Sequence, residues 1–250
     1  MLLAIDVGNT NTVVGVFVGE DLVDSWRVRT DPQATADELV LLYRGLLGDY
    51  RITGVSICST VPAALRELRR MVVRAFRDVP AVIVEPGTRT GVPILIDNPK
   101  EAGADRIMNT LAAHHLYGGP AIVVDFGTST NLDVVSARGE FVGGALAPGI
   151  EIALDALASR AAQLRKVELA APRSVIGKST VEALQSGMIY GVAGQVDGLV
   201  RRIRTELGSH ATAIATGGLA SLVLKESETL DHHEPHLTLI GLRLVFEKNT

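Results

Sequence analysis

Apolar and polar positions along this chain switch between an alternating period and a helical one, and the switches mark its elements. The opening run Leu2-Leu3-Ala4-Ile5 ends in Asp6-Val7-Gly8-Asn9-Thr10, and a second apolar run, Thr12 to Phe17, follows at once. Mid-chain, Ala121-Ile122-Val123-Val124 ends in Asp125-Phe126-Gly127-Thr128, and Leu132 to Val135 follows. Each copy reads as a buried strand delivering a carboxylate, a glycine that lets the backbone reverse closely, small polar side chains, and a second strand. One phrase opening each half predicts two related domains, 1–117 and 118–250, facing one another across a nucleotide cleft. Gly118-Gly119-Pro120 marks the boundary.

The remaining pattern fills in these halves. Leu22 to Val28 alternates as a third strand, and Thr35 with Asp37 and Glu38 begins a helix, as a cap residue followed by an acidic first turn should. Gly54 to Ser59 reads as a strand, Pro62 opens a helix to about Phe76 with arginines on its solvent side, and Ala81 to Val84 reads as another strand. Pro86 to Pro99 is irregular. Ala104 to about Leu116 is helical, which sets Gly103-Ala104-Asp105-Arg106 at its start, where the helix dipole favours an ionised carboxylate. Helices are expected at Glu151 to Gln163, Thr180 to Leu207 and Gly241 to Lys248, with a short strand from Thr212 running into the turn Gly217-Gly218.

Composition narrows the class. With 250 residues, 47% of them hydrophobic but only 4% aromatic, the chain has material for a sizeable core rich in Val, Ile, Leu, Ala and Gly. That suits central strands covered by helices, an α/β fold, better than an all-β sandwich. A net charge of −4 without a long basic run gives no electrostatic footprint for nucleic acid. Small anions are still admissible, because backbone N–H groups and a metal bind them locally. The single cysteine, Cys58, lies in an apolar run and reads as core. No apolar run reaches the length of a membrane span and no basic leader precedes the first strand, so a soluble cytoplasmic protein is expected.

Asp6 and Asp125 are the first candidates for chemistry. Carboxylates at equivalent turns suit a hard cation such as Mg²⁺ accompanying a triphosphate; alternatively each closes its own turn by accepting backbone N–H bonds. Asn9, Thr10, Asn11 and Thr12, and in the second copy Thr128, Ser129 and Thr130, offer donors that can stabilise charge on a moving phosphoryl group. Val175-Ile176-Gly177-Lys178-Ser179-Thr180 lacks the earlier glycine and the preceding strand of a P-loop, though its hydroxyls suit a substrate. Asp105 is the best general-base candidate, with Arg106 beside it for an anionic substrate end; a helix-start acid paired with a local arginine fits the same residues. His232, His233 and His236 have no carboxylate or cysteine at matching spacing and read as a solvated loop rather than a metal site.

Five segments together, Asp6-Val7-Gly8-Asn9-Thr10, Asp97-Asn98-Pro99 with Gly103-Ala104-Asp105-Arg106, Asp125-Phe126-Gly127-Thr128, Gly143 to Gly149, and Thr216-Gly217-Gly218, closely resemble the type III pantothenate kinases over nearly the whole chain and in the right order. The resemblance implies two ribonuclease-H-like domains of the actin-like ATPase kind, hinged about a nucleotide cleft. It implies ATP-dependent phosphorylation of pantothenate, the first step of coenzyme A synthesis, with Mg²⁺ and a monovalent cation, K⁺ or NH₄⁺, in a homodimer. Carried over by motif, Asp6, Val7, Gly8, Asn9, Thr10, Asn11, Thr12 and Val13 line the ATP phosphates and Thr128 contacts ATP. Gly103, Ala104, Asp105 and Arg106 hold pantothenate, Thr180 touches it, Asp105 takes its hydroxyl proton, and Asp125 binds the monovalent cation. Two positions depart from the family pattern: Ile96 stands where many relatives carry a Tyr that contacts pantothenate, and Asn131 where a Thr is common. A non-catalytic nucleotide-binding regulator of the same fold is the rival reading.

Overall fold

A computed structural model describes residues 1–160 and 167–250. It is an α/β chain with two five-stranded mixed sheets. In the first, β1 (Leu2–Val7), β2 (Asn11–Val18) and β3 (Asp21–Arg29) form an antiparallel meander, and β4 (Gly54–Ser59) and β5 (Ala81–Ile83) add in parallel on the other side of β1. In the second, β6 (Ala121–Phe126), β7 (Ser129–Val135) and β8 (Phe141–Pro148) repeat the meander, and β9 (Thr212–Thr216) and β10 (His232–His233) repeat the parallel pair. The strand orders, β3-β2-β1-β4-β5 and β8-β7-β6-β9-β10, are one topology used twice. The duplicated Asp-x-Gly phrase therefore falls at the same corner of both sheets, the β1–β2 and β6–β7 turns.

Local rules explain most helix ends. Helix α1 (Ala36–Leu47) starts on Thr35, whose hydroxyl accepts from Glu38 N while the Glu38 carboxylate accepts from Thr35 N, a reciprocal capping box. Helix α2 (Pro62–Ala75) has proline at its first position, and α3 (Ala104–Tyr117) begins at the expected tetrad. Helix α4 covers Ile150–Arg160, and the last expected helical residues, 161–163, lie outside the described residues. Helix α5 (Thr180–Leu207) is capped by Ser179 at one end and stopped by Gly208 in the left-handed region at the other. A short α6 (Ala220–Val223) and a C-terminal α7 (Leu237–Asn249) complete the chain.

One expectation is corrected and two features are added. Gly143 to Pro148, glycine-rich and first read only as a motif, belongs to strand β8, paired to β7 along its length. His232 and His233 are a strand rather than a loop, hydrogen-bonded beside Ile214 and Ala215, with the His232 ring stacked on Tyr117 at 4.4 Å. The chain also divides into compact units that do not follow a single cut: Met1–Ala112 with Leu237–Thr250, and Ala113–His236. The C-terminal helix thus leaves the second half of the chain and packs on β1, β2, β4 and β5 of the first sheet. Among the described residues, no helix is long and apolar enough to cross a membrane.

Strand alternation gives the first sheet two unlike faces. Leu3, Ile5, Val7, Val14, Val16, Val55 and Ile57 point into a core shared with Tyr43, Leu47, Leu68 and Met71 of α1 and α2. The opposite face carries small side chains, Ala4, Gly15 and Ser56, and α7 lies on it, with the Ser56 hydroxyl donating to Leu242 O at 2.8 Å. Helix α7 is held in turn by α3. The Thr238 hydroxyl donates to Asn109 Oδ1 at 2.8 Å, and Gly241 faces the Met108 carbonyl so closely that a Cβ there has no room. Because the obstruction is backbone, G241A should cost about 1–3 kcal/mol of stability; a urea unfolding midpoint equal to that of the parent would show that α7 does not depend on this approach.

Candidate active site

The first hairpin tip is built by main-chain bonds. Gly8 N donates to Asn11 O at 3.0 Å, closing a turn that leaves Asn9 and Thr10 exposed. Alternation then separates the residues expected to act together. Val7 and Thr12 face the α1–α2 core, with Thr12 only 7% exposed, whereas Asp6 and Val13 lie across from each other on the α7 face.

Asp6 is the central group of that face. It sits opposite Cys58 in the parallel β1–β4 pairing, and the Cys58 thiol donates to its Oδ1 at 3.3 Å. Burial, reinforced by the negative charge of Asp105, pushes the Asp6 pKa up to about 7, against the Cys58 hydrogen bond and the Arg27 charge, which act the other way. The same burial, with the Asp6 charge, holds the Cys58 thiol protonated, so it serves as a donor and not as a nucleophile. Cys58 was legible only as core; its role needs the register between strands 52 residues apart.

Asp105 stands at the start of α3. Its Oδ1 accepts from Arg106 N at 2.9 Å, and the carboxylate folds back over Gly103, where a Cβ would collide with it. Gly103 in that tetrad therefore makes room for the acid. Burial raises the Asp105 pKa above the ordinary carboxylate range, with the Arg106 N–H and charge offsetting part of the shift. Desolvation thus works against the helix dipole at this carboxylate. Ala104 and Arg106 are half-buried beside it. A partly buried carboxylate with a raised proton affinity is suited to accept a proton from a hydroxyl.

In the second unit, Gly127 N donates to Ser129 O at 3.0 Å and leaves Gly127 and Thr128 exposed at the tip. Asp125 pairs in register with Asn131 and Thr216, and its carboxylate lies against Gly217, whose φ of +89° and missing side chain leave bare backbone beside it. Thr180 is exposed at the first turn of α5. A residue the sequence did not single out, Asp197 on α5, accepts from Ser227 Oγ at 2.6 Å, from Thr229 Oγ1 at 2.7 Å and from the backbone N–H groups of Glu228 and Thr229, which ties the loop after α6 to the helix. Burial works to raise its pKa, but these bonds outweigh it and hold the carboxyl below its ordinary value. Among the described residues, no three His, Cys, Asp or Glu side chains converge as a metal cage.

A family model for type III pantothenate kinase matches residues 2–202. A Frankia alni type III pantothenate kinase is 94% identical over 249 residues, covering the whole of both chains. The chain belongs to the type III pantothenate kinase family. Among solved structures, a conserved Campylobacter jejuni protein of the Baf transcriptional activator family is similar at a TM-score of 0.63 and 17% identity, covering 99% of this chain and 98% of that one. A ROK hexokinase from Thermus thermophilus is similar at a TM-score of 0.53 and 15% identity, covering 99% and 98%. At such identities these likenesses show the fold and nothing more.

The elevated Asp6 pKa has a stability consequence. Because the folded protein holds this proton more tightly than the unfolded chain, whose Asp titrates near 3.8, the ligand-free protein loses stability as pH rises from about 4 through 7. Asn at this position keeps an oxygen for the Cys58 thiol but has no charge to bury. D6N should therefore be more stable than the parent by roughly 2–4 kcal/mol at pH 8 and little different at pH 4; urea unfolding at both pH values would contradict the assignment if the gap were the same at each.

Proposed function

We infer that this chain is a kinase that moves the γ-phosphoryl group of ATP to the primary hydroxyl of pantothenate, giving 4'-phosphopantothenate for coenzyme A synthesis in the cytoplasm. The observation that carries the reading is Asp105, folded over Gly103 at the head of α3 with a raised proton affinity and coupled to Asp6 in the same unit. Near-identity to family members over the full length supports the substrate assignment.

In this reading the exposed tip around Asn9 and Thr10 meets the ATP phosphates, and Thr128 is a nucleotide contact at the tip of the second hairpin. Asp105 accepts the hydroxyl proton as pantothenate attacks, Gly103 and Ala104 shape its approach, and Arg106 and Thr180 hold the anionic substrate. Little covalent chemistry is asked of the protein; positioning and charge neutralisation do the work. The elevation of Asp6 by burial and by the Asp105 charge fits Mg²⁺, which would keep much of its own shell, need only one or two carboxylates and neutralise phosphate charge. Asp125 beside the bare backbone of Gly217 fits a larger monovalent cation, K⁺ or NH₄⁺. Leu146, Ile152, Val175, Ile176 and Val181 expose apolar side chains on the second unit, which supports a homodimer.

D105N should lower the turnover of pantothenate by about 10²- to 10⁴-fold while leaving nucleotide binding near that of the parent and the fold at least as stable. A coupled ATP assay with pantothenate, run with and without K⁺, reads this directly. Parent-like turnover in D105N would remove Asp105 from the role, and ATP binding without any turnover in the parent would favour the regulatory reading instead.

A further inference from the structure

Thr30, the residue after β3, makes three contacts to the first hairpin. Its backbone N–H donates to Thr10 O at 3.0 Å, its hydroxyl donates to Gly8 O at 2.7 Å, and its Oγ1 lies 2.9 Å from Thr12 Oγ1. All of these groups lie within the unit that holds β1, and Thr30 is 8% exposed.

Proton counting resolves the Thr12–Thr30 contact. A threonine hydroxyl has one proton to give, and a carbonyl can only accept. The Thr30 proton is committed to Gly8 O, so the bond between the two hydroxyls runs from Thr12 to Thr30. The Thr12 proton is thereby spent as well. The hydroxyl that sequence reasoning assigned to the ATP phosphates instead points into the α1–α2 side of the sheet and supports another side chain.

Holding Gly8 O also orients the tip. In a planar trans peptide the carbonyl and the following N–H point in opposite directions. With Gly8 O turned toward Thr30, the Asn9 N–H is turned away from it, at a position where the side chains are exposed. Backbone N–H groups fixed at a turn are the groups that cradle an anion. We propose that Thr30 is the positioning residue of the phosphate hairpin, and that Thr12 acts on nucleotide binding only through it. The proposal rests on the reading of this hairpin as the ATP-phosphate site.

The test is the affinity of the full-length protein for a non-hydrolysable ATP analogue, measured calorimetrically, together with the KM values for ATP and pantothenate. T30V, which keeps the shape but leaves Gly8 O and the Thr12 hydroxyl without their partner, should weaken analogue binding by about tenfold and raise the ATP KM in proportion, with the pantothenate KM unchanged. T30S should restore both, since serine supplies the same proton. T12V should weaken binding less than T30V, and the T12V/T30V double variant no more than T30V alone. Parent-like affinity in T30V, failure of T30S to rescue, or multiplying losses in the double variant would overturn the proposal, the last by showing Thr12 on the nucleotide itself. Should T30V not fold, T12V and T30S still decide: a T12V loss of tenfold or more, or a weakened T30S, overturns it. If the parent bound the analogue yet did not phosphorylate pantothenate, the functional reading would fail while the binding comparison at Thr30 stood.

Discussion

A partly buried carboxylate at the end of a central strand is the constraint on which the first unit is organised. Asp6 cannot be ionised there without cost, because burial and Asp105 both oppose the charge. A thiol that stays protonated and an arginine across the sheet both answer that charge, and a second acid at a helix start adds to its cost. The fold tolerates the arrangement because the opposite face of the same strands is a dense apolar core, which supplies the stability that the acidic face gives up.

The same constraint explains the path of the last helix. The face that carries Asp6 and Cys58 needs a cover that comes close, and α7 comes close because the strands beneath it present Ala4, Gly15 and Ser56 rather than large side chains. By packing also against α3 at Asn109 and Met108, α7 joins the helix whose first turn carries Asp105 to the sheet that carries Asp6. Two residues distant in sequence are thus brought into electrostatic contact by a helix that contains neither.

Much of this was legible in the residues. The twin hairpins, the capping box at Thr35, the start of α3 and both ends of α5 follow from patterns within a dozen positions, where local rules act without help from tertiary structure. What could not be read depends on pairings between distant strands. Gly143-Gly144 shows no strand pattern until β7 supplies partners for its backbone, and His232-His233 looks like a loop until β9 does. Cys58 is an ordinary core residue by its neighbours, and only the β1–β4 register makes it a partner of Asp6. The dipole argument at Asp105 is incomplete for a related reason: it weighs a charge against its own helix and leaves out the desolvation that the rest of the unit imposes.

A contiguous motif is also not a contiguous site. From Asp6 to Val13 the chain passes through two strands and a turn, and the strand period of two sends alternate side chains to opposite faces. Asp6 and Val13 belong with the α7 face, the exposed tip at Asn9 and Thr10 faces water, and Val7 and Thr12 belong to the core side. Such a motif specifies a ligand site and the frame that holds it in a single stretch, so each residue can be tied to the sequence pattern for a different physical reason. Sorting those reasons requires the hydrogen-bond direction at each group. At Thr12 the direction runs inward, to Thr30, and the residue falls on the side of the frame.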